Sequence, residues 1–382
     1  MRATESVVRA GAAVLLLVLL APGARCATTM MDLPPALQAI PMKALLDAFG
    51  TTFETPSLAA EVARFRAWAP PPSDEVAVCP GLGRVMQDYP GTSDARLALY
   101  DLCSIYARKD DWTSVEAPFR YVMERYPGTS TARIAYLKLI DMYQYAGAPV
   151  GVDPIAECRA AIEAYAGTPE EGFGRMLLAD MLAAKEAYEA SFQEFERTIA
   201  QFPGQPYSSY ARIRFGLHLV GAGQYDRALE VTEPVLADPA WSGRALYARG
   251  AARAGKGAMD AAIADYEKAA RTADSVYVRA DAYFALSEIY EQRGQHGRAR
   301  ECLEANLAIS SMRRDQPQIR LSIIRQMQAA GEHLAAAQAA VALEKDMLNA
   351  PGRYGKSELS SSVWTCNEIL DACEAALAKD GK

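Results

Sequence analysis

An eight-residue segment that occurs twice constrains this chain more than any other feature of its sequence. Tyr89-Pro-Gly-Thr-Ser-Asp-Ala-Arg96 returns 37 residues later as Tyr126-Pro-Gly-Thr-Ser-Thr-Ala-Arg133, with seven of eight positions identical, and a looser copy starts at Phe202. In each copy an aromatic residue ends one helix, Pro-Gly stops it, and Thr or Ser caps the next. Self-similarity with a period of thirty to forty residues indicates stacked pairs of helices. The sequence therefore predicts an all-α solenoid.

Seven such helix pairs, which we call repeats one to seven, follow one another from Arg96. Repeats one and six show the pattern of large and small residues most clearly: Leu99, Leu102, Cys103, Tyr106, Val115, Phe119 and Pro127, and Tyr283, Leu286, Ser287, Tyr290, Gly294, Ala299 and Leu303. We expect an N-terminal helical cap and a proline-rich spacer at 28–73, the array at 74–350, and a C-terminal capping helix and tail at 351–382.

Prolines predict where the pattern is interrupted. Pro118 and Pro234 each fall inside a predicted second helix, where we expect a late start or a kink. The second helix of repeat two is disturbed in the same way by Pro149 and Pro154. In the N-terminal cap we expect one helix from Pro34-Pro35 through Phe49 and a second that starts near Ser57.

These repeats resemble the tetratricopeptide repeat family, whose pattern is large-x2-Leu-Gly-x2-Tyr, then Ala-x3-Phe, then Pro. The resemblance covers about residues 75–350. It implies a right-handed superhelix of helix pairs, and a non-catalytic scaffold that holds an extended peptide or a partner helix in its concave groove. The Lys and Asn set that resembles the family's carboxylate clamp is missing, so a C-terminal carboxylate is not the expected ligand.

The aromatic-Pro-Gly-Thr/Ser joint looks like the bacterial envelope branch of that family. This branch includes the outer-membrane assembly lipoprotein of the β-barrel machinery and the periplasmic partner of the Tol–Pal system. The sequence lacks the acceptable lipidation cysteine of the first and the N-terminal coiled coil of the second. The resemblance thus implies a compartment and a scaffold role, with peripheral association with membrane complexes, rather than an identity.

Residues 1–27 are typical of a cleavable secretory signal. Arg2 and Arg9 precede or border an apolar core at 12–21, and small residues follow it. The core is shorter than the roughly 20 residues of a membrane span, although a retained anchor is the rival interpretation. Arg25 stands where a lipoprotein signal has a small residue, so we do not expect lipid anchoring at Cys26. The sequence predicts a periplasmic or otherwise extracytoplasmic protein.

The composition and the absence of known catalytic and metal-binding motifs disfavour several classes of function. The net charge is −7 with no basic block, so nucleic acid is not an expected partner. The three histidines, His218, His296 and His333, lie in different repeats without Cys, Asp or Glu at ligand spacing, and neither CxxC, HExxH nor a P-loop occurs. We therefore expect no enzyme, no cofactor, no metal and no small-molecule substrate. An enzyme or cofactor carrier with a site scattered over the repeats, and a purely structural envelope spacer, remain alternatives.

The partner-binding groove is predicted from one position on each first helix and from the position three residues before it. The groove candidates are Leu97, Tyr100, Ile134, Leu137, Phe173, Met176, Tyr210, Ile213, Tyr247 and Phe284, followed by Leu321 in repeat seven. Repeats one to four would present an apolar groove, which becomes mixed and partly acidic later, where Glu288 and Glu291 join Asp281. The alternative interpretation is that these side chains pack between neighbouring first helices and contact no ligand.

Six cysteines remain if Cys26 leaves with the signal. Cys79 and Cys103 lie on neighbouring predicted helices and are the candidate disulfide pair, which would stabilise the fold by roughly 3 kcal/mol. Cys366 and Cys373 are seven residues apart on one helix, about 10 Å between Cα atoms, which is too far to bridge. Buried free thiols throughout are the alternative.

Overall fold

The computed structural model describes residues 33–50, 57–68, 75–108, 111–309, 316–349 and 356–379, and these residues are helical with no β-strand among them. The predicted signal segment, Cys26 and the proline-rich spacer lie outside the described residues. None of the described helices has both the length and the apolar composition needed to span a membrane. The predicted all-α solenoid of helix pairs is confirmed.

The chain divides into two compact modules, and the boundary falls inside one helix. The N-terminal module contains residues 33–67 and Glu75–His218, and the C-terminal module contains the described residues from Leu219 onward. The helices that begin in the first module are α1 Pro35–Gln38, α2 Met42–Gly50, α3 Leu58–Ala67, α4 Cys79–Asp88, α5 Ser93–Ala107, α6 Trp112–Arg125, α7 Ser130–Ala146, α8 Pro154–Ala164, α9 Pro169–Ala184, α10 Tyr188–Gln201 and α11 Pro206–Gly221.

The helices of the C-terminal module continue the alternation of first and second helices. They are α12 Tyr225–Thr232, α13 Ser242–Gly255, α14 Met259–Thr272, α15 Val276–Gln292, α16 His296–Ile309, α17 Gln316–Ala329, α18 His333–Asn349 and α19 Lys356–Lys379. From α3 to α10, and again from α12 to α19, each helix packs on the next. The odd-numbered helices from α5 to α17 are the first helices of repeats one to seven.

The repeated segment forms the same joint in both close copies. Thr92 caps α5, because its Oγ1 accepts from the Ala95 amide at 3.2 Å and donates to the Tyr89 carbonyl at 2.8 Å. Thr129 caps α7 with the same two contacts, at 3.2 Å from Ala132 and 2.7 Å from Tyr126. Such a cap stabilises a helix by about 1 kcal/mol. Gly91 adopts a φ of 74°, a region that glycine enters without strain.

The prolines have three different effects on the helices. Pro118 lies inside α6, which continues through it from Trp112 to Arg125. At Pro234 the α-helix has already ended, and Glu233–Ala237 is a 3-10 helix. The second helix of repeat two begins only at Pro154, where Asp153 caps it through the Ile155 amide.

The N-terminal cap differs from its prediction in one respect. A single helix was expected from Pro34-Pro35 through Phe49, but the chain forms α1 and α2 with a break before Met42. Pro41 explains the break, because it has no amide hydrogen to continue the first helix. Its carbonyl instead accepts from the amides of Ala44 and Leu45 and so opens α2. The second predicted helix is present as α3, with the Ser57 hydroxyl accepting from the Ala60 amide.

Candidate partner-binding faces

The predicted groove side chains differ widely in exposure. Buried are Ile134, Leu137, Met176, Ile213 and, in repeat seven, Leu321; half-buried are Leu97, Tyr100, Phe173, Tyr210 and Tyr247; Phe284 is 43% exposed. Phe284 is thus the single exposed member of this set. The apolar positions of repeats one to four therefore offer little free surface.

Several of these side chains pack against a neighbouring helix instead of facing solvent. Leu137 closes over Gly174 of α9 so tightly that a Cβ at Gly174 would lie 3.3 Å from its methyl carbon. The Tyr100 hydroxyl donates to Asp141 Oδ2 of α7 at 2.8 Å. Tyr247 instead packs on the second helix of its own repeat, with its ring 5.6 Å from the ring of Tyr266 in α14. At these positions the side chains fill the space between helices, as cores require.

The first helix of repeat two is also covered by α2 of the N-terminal cap. Helix α2 packs against α4, α5 and α7. Lys138 of α7 is 2% exposed and donates from Nζ to the Ala48 carbonyl of α2 at 3.1 Å. Phe49 is fully buried, with its ring 4.9 Å from that of Phe119 in an edge arrangement. A helix of this protein therefore occupies part of the surface on which the sequence predicted a partner.

Two half-buried carboxylates, Asp141 and Asp180, lie on first helices of the N-terminal module. Burial raises the pKa of Asp141, while the hydrogen bond from Tyr100 and the charge of Arg96 act in the opposite direction. Asp180 of α9 meets two residues of α11, with His218 Nε2 at 2.8 Å and an Arg214 nitrogen at 2.9 Å. Burial raises the pKa of Asp180, but the hydrogen bonds from His218 and Arg214 outweigh it and leave the pKa below its usual value.

The contact between His218 and Asp180 was missed by the sequence analysis. The two residues are 38 positions apart, close to the repeat period, so the register of the repeats is the signal that could have paired them. Arg214 and Asp180 form an interhelix ion pair, and His218 shares a hydrogen bond with the same carboxylate. Among the described residues no group of three or more His, Cys, Asp or Glu side chains could hold a metal ion.

In the C-terminal module one stripe of α15 stays open. Asp281, Phe284, Glu288 and Glu291 follow one another at spacings of three and four residues, which places them on one side of a helix, and all four are exposed. Partial burial and the neighbouring Glu291 raise the pKa of Glu288. Helix α13, which carries Tyr247, packs against α15. Burial, and then the charges of Asp281 and Glu288, raise the pKa of Tyr247 to about 12.

Two carboxylates of this stripe, Glu288 and Glu291, differ from those of the module that form ion pairs. Asp265 pairs with Arg249 at 2.7 Å and with Arg253 at 2.8 Å, and Asp274 pairs with Arg244 at 3.1 Å. Glu288 and Glu291 make no ion pair with any described residue of the chain. The stripe, which we call the α15 face, therefore combines an exposed aromatic ring with uncompensated negative charge.

The six cysteines that the structure describes are buried or half-buried free thiols. Cys103 Sγ donates to the Val115 carbonyl at 3.8 Å, and burial raises its pKa. Cys79 instead hydrogen-bonds Tyr106, whose pKa rises through burial and then through the charge of Cys79. The predicted bond between Cys79 and Cys103 is not formed in the structure. Burial and Glu344 raise the pKa of Cys366 to about 11, so this thiol is a poor nucleophile.

Known proteins resemble this chain in fold. The family described as tetratricopeptide repeat-like domain matches residues 155–283, and no curated protein matches the chain. The pilus biogenesis factor PilW is 18% identical over 60% of this chain and 97% of that chain, with a TM-score of 0.44. Human IFIT1 in a dimer with m7Gppp-AAAA is 16% identical over 94% of this chain and 98% of the IFIT1 chain, with a TM-score of 0.44. MamA is 21% identical over 47% of this chain and 95% of the MamA chain, with a TM-score of 0.37.

Proposed function

We propose that this protein is a non-catalytic scaffold that binds a protein or peptide partner on the α15 face. The observation that carries the proposal is the exposure of Phe284 between Asp281 and the unpaired carboxylates of Glu288 and Glu291. Large aromatic side chains in such positions act as anchors when a partner buries them. The tetratricopeptide repeat-like domain supports an interaction role, because stacked helix pairs present extended binding surfaces.

The charge of the face favours one kind of partner. Positively charged groups near an apolar anchor would complement Glu288 and Glu291, and complementary potentials select partners and speed their encounter. A nucleic acid is disfavoured, because its phosphates would meet carboxylates without a neutralising cation. The partner that fits is thus a basic segment carrying an apolar side chain.

Photo-crosslinking in the native cell tests this function. A photoreactive residue in place of Phe284 is expected to give a discrete adduct with a second protein. The same residue in place of Leu334, which is 60% exposed on α18, provides the matched control and should give none. Equal adducts from both positions, or none from Phe284, would contradict the proposal.

Two substitutions then separate binding from folding. Phe284→Ser and Glu288→Gln are each expected to weaken capture of the crosslinked partner about tenfold or more, as truncation of an interface anchor does. Glu288→Gln should not lower stability at neutral pH, because a carboxyl whose folded pKa is raised destabilises the folded state when it is charged. Leu334→Ser should bind as the wild type does. Undiminished capture by both variants would refute the α15 face as the site.

We further propose that the chain works outside the cytoplasm, in the assembly or maintenance of a cell envelope. Arg2 and Arg9, the apolar core at 12–21 and the small residues that follow support export through a cleavable signal. The mature chain is expected to begin between Ala24 and Thr28. N-terminal sequencing of the protein recovered from the envelope fraction checks this, and an intact Met1 in the membrane fraction would indicate an anchor instead.

A further inference from the structure

A cavity between α17 and α19 carries a feature that a protein-binding scaffold does not explain. It has a volume of about 200 Å³, which is room for about six water molecules. The lining residues are Gln318, Leu321, Ser322 and Arg325 on α17, and Ser361, Ser362 and Thr365 on α19. Six of these seven side chains are polar, and no carboxylate is among them.

Ser362 has a buried hydroxyl without a partner at this cavity. The residue is 2% exposed, and its Oγ makes no hydrogen bond with any described residue. A buried hydroxyl that loses water without gaining a protein partner costs about 1–3 kcal/mol, so native structures rarely leave one unexplained. The cavity beside Ser362 is the place from which a bound molecule would satisfy it.

The opposite wall holds three further donors, of which Gln318 and Arg325 are exposed and Ser322 is half-buried. Gln318, Ser322 and Arg325 make no side-chain hydrogen bond or ion pair with any described residue, although other arginines nearby are paired, such as Arg320 with Asp346 at 2.6 Å. Thr365 is committed, because its Oγ1 donates to the Ser361 carbonyl at 2.9 Å. The cavity thus has an amide, a hydroxyl and a guanidinium on α17 facing an unsatisfied hydroxyl on α19.

We propose that this cavity is a binding site for a tetrahedral oxyanion, a phosphate group. Arg325 supplies the positive charge, because guanidinium donors form strong, directed hydrogen bonds to phosphate oxygens. Gln318 and Ser322 donate beside it, and Ser362 donates from the other helix. A tetrahedral anion offers oxygens in four directions and reaches both walls, whereas a planar carboxylate with two oxygens serves only one of them.

The site would also connect the two helices that border it. A ligand that accepts from Arg325 and Ser362 together ties α17 to α19, and anything that binds only the folded state raises its stability. This inference is independent of the α15 face, because none of the lining residues belongs to that face.

Titration of the full-length chain with inorganic phosphate tests the site. At constant ionic strength, set with chloride to hold screening fixed, phosphate is expected to bind saturably and to raise the midpoint of thermal unfolding. Arg325→Gln should weaken binding at least tenfold, since hydrogen bonds to charged groups are worth about 1.5–3 kcal/mol. Arg293→Gln, which removes an arginine already paired with Asp260 at 2.8 Å, is the control and should bind as the wild type does.

Ser362→Ala distinguishes a ligand from a purely structural role. Without phosphate this variant should be at least as stable as the wild type, because it removes an unsatisfied buried hydroxyl. With phosphate it should bind several-fold more weakly. The proposal would be overturned if the wild type showed no saturable phosphate binding. It would also be overturned if Arg325→Gln and Ser362→Ala both bound phosphate as tightly as the wild type does.

Two further titrations identify the source of the anion. Tighter binding of O-phosphoserine than of inorganic phosphate would assign the site to a phosphomonoester on a larger molecule. Binding of inorganic phosphate with exclusion of the ester would assign it to the free anion. Acetate should not compete, and competition by acetate at the same concentration would refute the tetrahedral geometry.

Discussion

Phe49→Ala is expected to lower the free energy of unfolding of the N-terminal module by about 3–5 kcal/mol, the usual cost of truncating a buried phenylalanine. Phe49 is fully buried, and its ring lies 4.9 Å from that of Phe119. Because α2 packs across α5 and α7, the loss should also loosen α2 from these helices. Denaturant unfolding and amide hydrogen exchange of α2 measure both effects.

A matched truncation shows whether burial is the cause. Leu334→Ala removes an apolar side chain that is 60% exposed on α18, and it should change stability by about 0.5 kcal/mol or less. A loss below about 1 kcal/mol for Phe49→Ala, with α2 protected as in the wild type, would show that α2 is held by other contacts. Its backbone contact to Lys138 would then be the first of these to test.

The helix pairs were predictable from the sequence because their joints are encoded locally. The aromatic residue, the Pro-Gly pair and the capping threonine each act over three or four residues, so their order specifies a helix end, a turn and a helix start. The observed caps of Thr92 and Thr129 have the predicted geometry. The apolar periodicity on both sides of Pro41 predicts one continuous helix, but Pro41 lacks the amide hydrogen that such a helix needs, and this causes the break before α2.

The position of α2 could not be predicted in this way. An apolar face shows that a helix packs on something, but the pattern does not say on which surface. Lys138 and Ala48 are 90 residues apart in the sequence. The local sequence around either residue therefore does not predict their contact. The α15 face shows the same limit, since Tyr247 and Phe284 hold equivalent positions yet differ in exposure. Their exposure depends on what the next helix places beside them.

Gly243→Ala is expected to lower the free energy of unfolding of the C-terminal module by about 3 kcal/mol, the upper part of the usual range for overpacking. Gly243 is buried in α13, where a Cβ would lie 2.4 Å from the Cα of Ala273 and 2.7 Å from its backbone nitrogen. These atoms belong to the backbone at the end of α14, so the two helices would have to move apart. A side chain could rotate away, as Tyr225 could beside Gly255, but a backbone cannot.

Gly297→Ala is the matched control, because the same substitution in α16 meets no atom within 4 Å. Alanine forms helix better than glycine by up to about 1 kcal/mol, so this variant should be as stable as the wild type or slightly more so. Thermal unfolding of both variants measures the difference. If the Gly243→Ala and Gly297→Ala proteins had the same midpoint of thermal unfolding, α13 and α14 would not approach each other as closely as they do in the structure. The close approach that glycine permits between paired helices would then not be what fixes their spacing.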